Sequence, residues 1–300
     1  MTIFELLLPA FVASLILTGI HAYLGVHVVE RGVIFVDLSL AQIAALGTTV
    51  AYLAGYDLHS GMAYFFSLGF TFLGAAIFAF LRVHRQTRVP QEAVIGIVYA
   101  VSAAVAILVM SKATQETEHL KDMLVGNILS VTWPELAKTA VLYALVGLFH
   151  YILRDRFLLI SLDEEEARRR GVNVRLWDFL FYISFGFVVT SSVAIAGVLL
   201  VFCFLIVPSV AAMLFSTRLG PRLAIGWTMG ALVSAGGVAL SFVLDLPTGA
   251  TIVATFGGAL LLVAGVRKLL FKPVAAPSLS DGAVLPARPH PNPSPKGEGL

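Results

Sequence analysis

The stretch FYISFGFVVTSSVAIAGVLLVFCFLIVP, from Phe181 to Pro208, decides the fold, because it reads either as one long apolar helix or as two shorter ones. A helix needs about 20 apolar residues to cross roughly 30 Å of hydrocarbon. The apolar run continues from 175 to 216 and is broken only at A194-I-A-G197. Split there, the chain offers nine candidate spans, at 5–29, 32–56, 61–82, 92–111, 134–153, 175–194, 198–216, 222–244 and 248–267. Charge placement chooses between the readings, since cytoplasmic loops carry the excess of Lys and Arg. With nine spans and the N-terminus outside, fifteen of the 20 basic residues fall inside, Lys112, Lys121 and Lys138 fall outside, and Arg288 and Lys296 lie in the tail. Merging the two segments would send Arg218, Arg222 and the last basic cluster to the opposite side. The expected fold is therefore all-α: a polytopic membrane protein of about nine transmembrane helices, N-terminus outside and C-terminus cytoplasmic.

Composition agrees, with 58% hydrophobic and 13% charged residues against an apolar share of about 45–50% in soluble domains. Residues 1–271 form the expected transmembrane domain. Residues 272–300, rich in proline and small polar residues, cannot bury enough surface to fold and read as a disordered tail. The net charge of +2 is spread over many short loops, so no patch for nucleic acid is expected. Catalytic signals are missing: no HExxH, no GxSxG serine elbow, and no GxxxxGK[ST] phosphate loop that would let the chain hydrolyse ATP. Cys203, the only cysteine, lies inside an apolar run as a small packing residue.

Ionisable groups inside a bilayer are costly, which makes them candidates for function. They are His21 and His27 in the first span, Asp37 in the second, Glu92, His150 and Asp178, with Gln42 as a further polar group. His27, Glu92, His150 and Asp178 fall near span ends and are expected at the membrane surface, where water relieves them. Asp37 and Gln42 lie deeper, in V36-D-L-S-L-A-Q-I-A-A-L-G47, among small residues that let helices approach closely. Five residues turn a helix through about 500°, so the two side chains point about 140° apart and could not share one ion on a straight helix. Asp37 is the candidate metal contact, with Gln42 and His21 as further candidates for an ion pathway.

One segment between spans is built for water. In S161-L-D-E-E-E-A-R-R-R-G171 we expect Ser161 to cap a helix with Glu164 as its capping-box partner, and Gly171 to end it in a left-handed turn. The acids lie at the positive end of the helix dipole and the arginines at the negative end. Glu164/Arg168, Glu165/Arg169 and Glu166/Arg170 are i,i+4 pairs, each adding roughly 0.3–0.5 kcal/mol on an exposed helix.

Four blocks then resemble the permease subunits of ATP-binding-cassette importers for zinc, manganese and iron: the 36–47 stretch, E92-A-V-I-G-I-V-Y99, M123-L-V-G-N-I-L-S-V-T132, and E166-A-R-R-R-G171 continued through G-V-L-L-V-F-C-F-L-I-V-P (Gly197 to Pro208) to L246-P-T-G-A-T251. The resemblance spans about residues 5–271. It implies a metal ion as cargo, a second permease copy, an extracytoplasmic metal-binding protein, and a cytoplasmic ATPase that holds the ATP and Mg, in the cytoplasmic (inner) membrane of a bacterium. The chain itself would bind no cofactor. In such importers an A-x-x-x-G loop docks on the ATPase, which maps to Ala167 and Gly171 and brings Glu164, Glu165, Glu166 and Arg168 into the coupling segment. Many zinc and manganese members resemble D-x-x-x-H in the second span. Here Gln42 stands where the His would align and Asp37 is displaced by one position, a departure that suits a less tightly held ion or a metal chelate. The rival class, a self-sufficient secondary transporter or channel, predicts uptake by the purified chain alone.

Overall fold

The structure, a computed structural model, describes residues 3–57, 60–81, 90–111 and 128–270. The tail expected over 272–300, and with it the boundary at 271, lies outside the described residues. Ten α-helices and one 3-10 turn, with no strand among the described residues, make the fold: α1 (Ile3–Arg31), α2 (Val36–Leu53), α3 (Gly61–Phe80), α4 (Gln91–Met110), the turn Ile128–Ser130, α5 (Trp133–Ile152), α6 (Arg154–Leu162), α7 (Glu164–Arg169), α8 (Val174–Met213), α9 (Leu219–Leu244) and α10 (Thr248–Leu270). All but α6 and α7 are long and apolar enough to cross a membrane.

Local chemistry sets the ends of several spans. Ser60 Oγ accepts from Ala63 N at 3.2 Å and starts α3. Glu135 accepts from Thr132 N at 2.8 Å at the head of α5, with Pro134 inside the first turn, where its missing N–H is not needed.

The ambiguous stretch resolves through α8. Its 40 residues would span about 60 Å if straight. Both of its ends instead lie beside the same end of α1. Asp178, in the second turn of α8, takes a hydrogen bond from Arg31 at 2.9 Å. Beyond its far end, Arg222 donates to Ser216 O at 2.7 Å and forms an ion pair with Glu30. Only a reversal brings both ends to one face, and the reversal is at Gly197, whose φ of 75° and ψ of 163° are closed to other residues. The eight membrane-length helices therefore supply nine apolar segments, with α8 contributing an arm on each side of Gly197.

The core lies along α1 and the two arms of α8, where Leu17, Leu24, Phe181, Phe185, Phe204 and Leu205 are fully buried. The small-residue stripe of α9 packs on α1: a Cβ on Gly226 would meet Ala22, and one on Gly230 would collide with Thr18. α4 and α10 expose most of their length, as helices facing lipid do.

The end of α1, both ends of α8 and the start of α9 gather on one face, the one that the excess of Lys and Arg predicts to be cytoplasmic. In a chain freed of Cys203, a cysteine at Ser60 should react with an impermeant maleimide from outside. Cysteines at Glu166 and Arg218 should react only after permeabilisation. Outside labelling at Arg218 would sink the nine-pass topology.

Candidate functional site

Two groups of residues carry chemistry that packing alone does not require: the water-facing helix α7 and the polar side chains buried around α1.

Asp163, not Ser161, caps α7: its Oδ1 accepts from Glu166 N at 2.9 Å while its own N–H donates to Leu159 O at 2.8 Å. One residue thus closes α6 and opens α7, and the expected Ser161–Glu164 capping box gives way to it. The C-terminus forms as expected. Gly171 stands at φ 70°, with Gly171 N donating to Arg168 O and Val172 N to Ala167 O, each at 3.0 Å, the two bonds of a Schellman motif. Arg168 pairs with Glu164 at 2.7 Å and Arg170 with Glu166 at 2.8 Å, whereas Arg169 turns to Glu166 at 3.5 Å in place of Glu165. Ala167 is fully buried against Ile160 and Val174, with Trp177 packed beside them. That one methyl seats α7 on α6 and the base of α8. Glu165, Arg168, Arg169, Arg170 and Gly171 are left exposed.

Beneath α7 the expectation of surface groups fails. His27 is 1% exposed and His150 and Asp178 are 0% exposed. They escape the penalty of burial by partnering across helices rather than by reaching water. His27 Nδ1 lies 2.8 Å from Ser161 Oγ, and His150 Nε2 lies 2.8 Å from Ser184 Oγ. Arg31 lies over the Phe181 ring at 3.9 Å while pairing with Asp178. Glu92, half-buried at the head of α4, accepts from Ile34 N. The sequence did not point to Arg31, Ser184 and Tyr143 as buried partners, and it pointed to Ser161 only as a cap. The opposed charges of Arg31 and Asp178 at facing span ends were a signal for the first pair. The hydroxyls left none.

The three ion-pathway candidates stand in different surroundings. His21 is fully buried, with Nδ1 donating to Leu17 O at 2.8 Å and Nε2 lying 3.3 Å from Ser192 Oγ, itself bonded to Tyr143. In this conformation His21 ties α1 to α8. Asp37 sits in the first turn of α2, 1% exposed, and neither carboxylate oxygen has a hydrogen-bond partner among the described residues. Gln42 is half-buried. No three His, Cys, Asp or Glu side chains gather as a metal site among the described residues.

The sequence pattern of the family described as the ABC 3 transport family matches residues 3–267. The chain belongs to the ABC 3 transport family. It is 29% identical over 250 residues to a protein named "Probable iron transport system membrane protein" from Haemophilus influenzae, covering 83% of this chain and 89% of that one. It is 26% identical over 244 residues to the manganese transport system membrane protein MntC of Listeria innocua, covering 81% and 84%. PsaBC from Streptococcus pneumoniae, solved in complex with Fab, has the same fold, with a TM-score of 0.72 at 23% identity over 87% of this chain and 91% of that chain. In this ABC 3 transport family member the match takes in every transmembrane helix and α7, which is the range over which the four sequence blocks were read.

Proposed function

We propose that the chain is the permease subunit of an ATP-binding-cassette importer that moves a divalent metal ion, zinc, manganese or iron, or a metal chelate, into the cytoplasm. In this reading two permease copies enclose the path, an extracytoplasmic metal-binding protein delivers the cargo, and cytoplasmic ATPase subunits hold ATP and Mg. The membrane is the bacterial cytoplasmic membrane, with the N-terminus outside.

The observation that carries the reading is α7. A helix of six residues has no reason to be stable alone, yet this one is capped at both ends, ion-paired along its length and seated by Ala167. Its exposed face presents Glu165, Arg168 and Arg169 in a fixed geometry beside the membrane, as a protein partner would need. Relatives named for iron and manganese support the cargo class, and the displaced Asp37 with Gln42 leaves the choice among metals to experiment.

The test is uptake of radiolabelled zinc, manganese and iron into proteoliposomes holding the permease with or without its ATPase. ATP-dependent uptake of at least one metal, and only with the ATPase, is expected. Uptake by the permease alone would favour a self-sufficient transporter or channel.

A further inference from the structure

We propose that Ser161 is a positioning residue for coupling: its hydroxyl fastens the α6–α7 segment to Arg31 and His27 of α1, so that motion of α7 against an ATPase reaches α1 and the first arm of α8. The inference rests on α7 being the docking helix, as proposed above.

Ser161 is 4% exposed and lies two residues before Asp163, the hinge residue between α6 and α7. Its hydroxyl is fully used. It donates its hydrogen to Phe157 O at 2.8 Å, accepts from Arg31 Nε at 2.8 Å, and lies 2.8 Å from His27 Nδ1. With the one hydrogen given away, the two lone pairs of Oγ receive the Arg31 and His27 N–H groups. The same guanidinium donates from Nη1 to Asp178 on α8 at 2.9 Å, and the preceding residue, Glu30, pairs with Arg222 at the start of α9. Two consecutive residues of α1 thus hold three other elements: α6, α8 and α9.

Apolar helix contacts can slide past one another at little penalty. A buried hydrogen-bonded node has discrete partners, and displacing it strands polar groups away from water, so it moves as a unit or not at all. Aromatic contacts stiffen the same joint, with His150 stacked on Phe157 at 4.4 Å and Trp177 edge-on to Phe157 at 5.5 Å. Ala167 locks α7 to Ile160 of α6 and Val174 of α8. A push on α7 is therefore delivered to a rigid base that holds Arg31 of α1 at two points, Ser161 of α6 and Asp178 of α8. Without the hydroxyl, α6 keeps its apolar seat and loses its grip on Arg31.

The experiment compares the complete permease–ATPase complex in proteoliposomes, wild type against Ser161→Ala, Ser161→Thr and Arg31→Lys. Uptake of radiolabelled manganese, zinc and iron and ATP hydrolysis are measured in the same vesicles. Ser161→Ala should retain the ATPase and go on hydrolysing ATP while metal taken up per ATP falls by about fivefold or more, the lower end of usual coupling factors. Ser161→Thr, which keeps the hydroxyl, should restore the ratio. Arg31→Lys, which keeps the charge beside Asp178 but lacks Nε, should reproduce the loss. A wild-type ratio in Ser161→Ala overturns the inference, as does loss of the ATPase from that variant. If the wild-type complex itself shows no ATP-dependent uptake, the proposed function fails and this inference with it. Coupled wild type with coupled Ser161→Ala overturns this inference alone.

Discussion

Gly171→Val should release the partner ATPase from the permease while leaving the membrane fold intact, and ATP-dependent uptake should fall with it. Gly171 holds φ 70° at the end of α7, and nothing stands within 4 Å of where a Cβ would lie. The penalty is therefore in the backbone itself. An L-residue in this left-handed conformation is disfavoured by about 1–2 kcal/mol, and a β-branched one by more. At roughly 1.4 kcal/mol per tenfold, a helix of only six residues should lose most of its population in the docked shape. The membrane helices do not feel this, since Ala167 seats α7 from outside the main core. Gly171→Asn is the control, because Asn tolerates the left-handed region and should keep the complex together. Co-purification of the ATPase measures the effect. Full retention and transport in Gly171→Val would remove α7 from the coupling role.

Asp37→Asn should reduce metal uptake by about tenfold or more, equivalent to roughly 1.4 kcal/mol of lost cation stabilisation, at normal expression and ATPase retention. The structure sharpens this test. A buried carboxylate with no hydrogen-bond partner among the described residues weakens a fold rather than holding it, apart from a favourable place in the first turn of α2 near the positive end of the helix dipole. Asparagine keeps the shape and removes the charge, so the variant should unfold no earlier than wild type on heating in detergent. Stability kept and uptake lost for every metal marks Asp37 as a group that meets the cargo. Wild-type uptake for every metal would make it a dipole partner only.

Most of the architecture was legible because a bilayer imposes a length on every apolar run and a side on every loop. The nine expected spans match the observed helices within a few residues, and A194-I-A-G197 marks the place where α8 turns back. The left-handed end at Gly171 was legible for a similar reason: few residue types, glycine first among them, suit that conformation. Local competition was harder to read. Ser161 and Asp163 both could cap a helix, and Asp163 won because its own N–H closes α6 on Leu159 while its carboxylate opens α7. Ser161, freed from that role, turned inward.

By itself the sequence determined the membrane class, the apolar segments and the presence of a water-facing helix, because each follows from hydrophobic length and end-capping within a few neighbouring residues. Only the tertiary structure decided which polar side chains meet. His27 with Ser161, Arg31 with Asp178 and Glu30 with Arg222 are separated by 134, 147 and 192 positions. Residues near span ends look alike in sequence whether they reach water or a neighbour, since the expense of burial is the same and only the packed helices determine which partner relieves it.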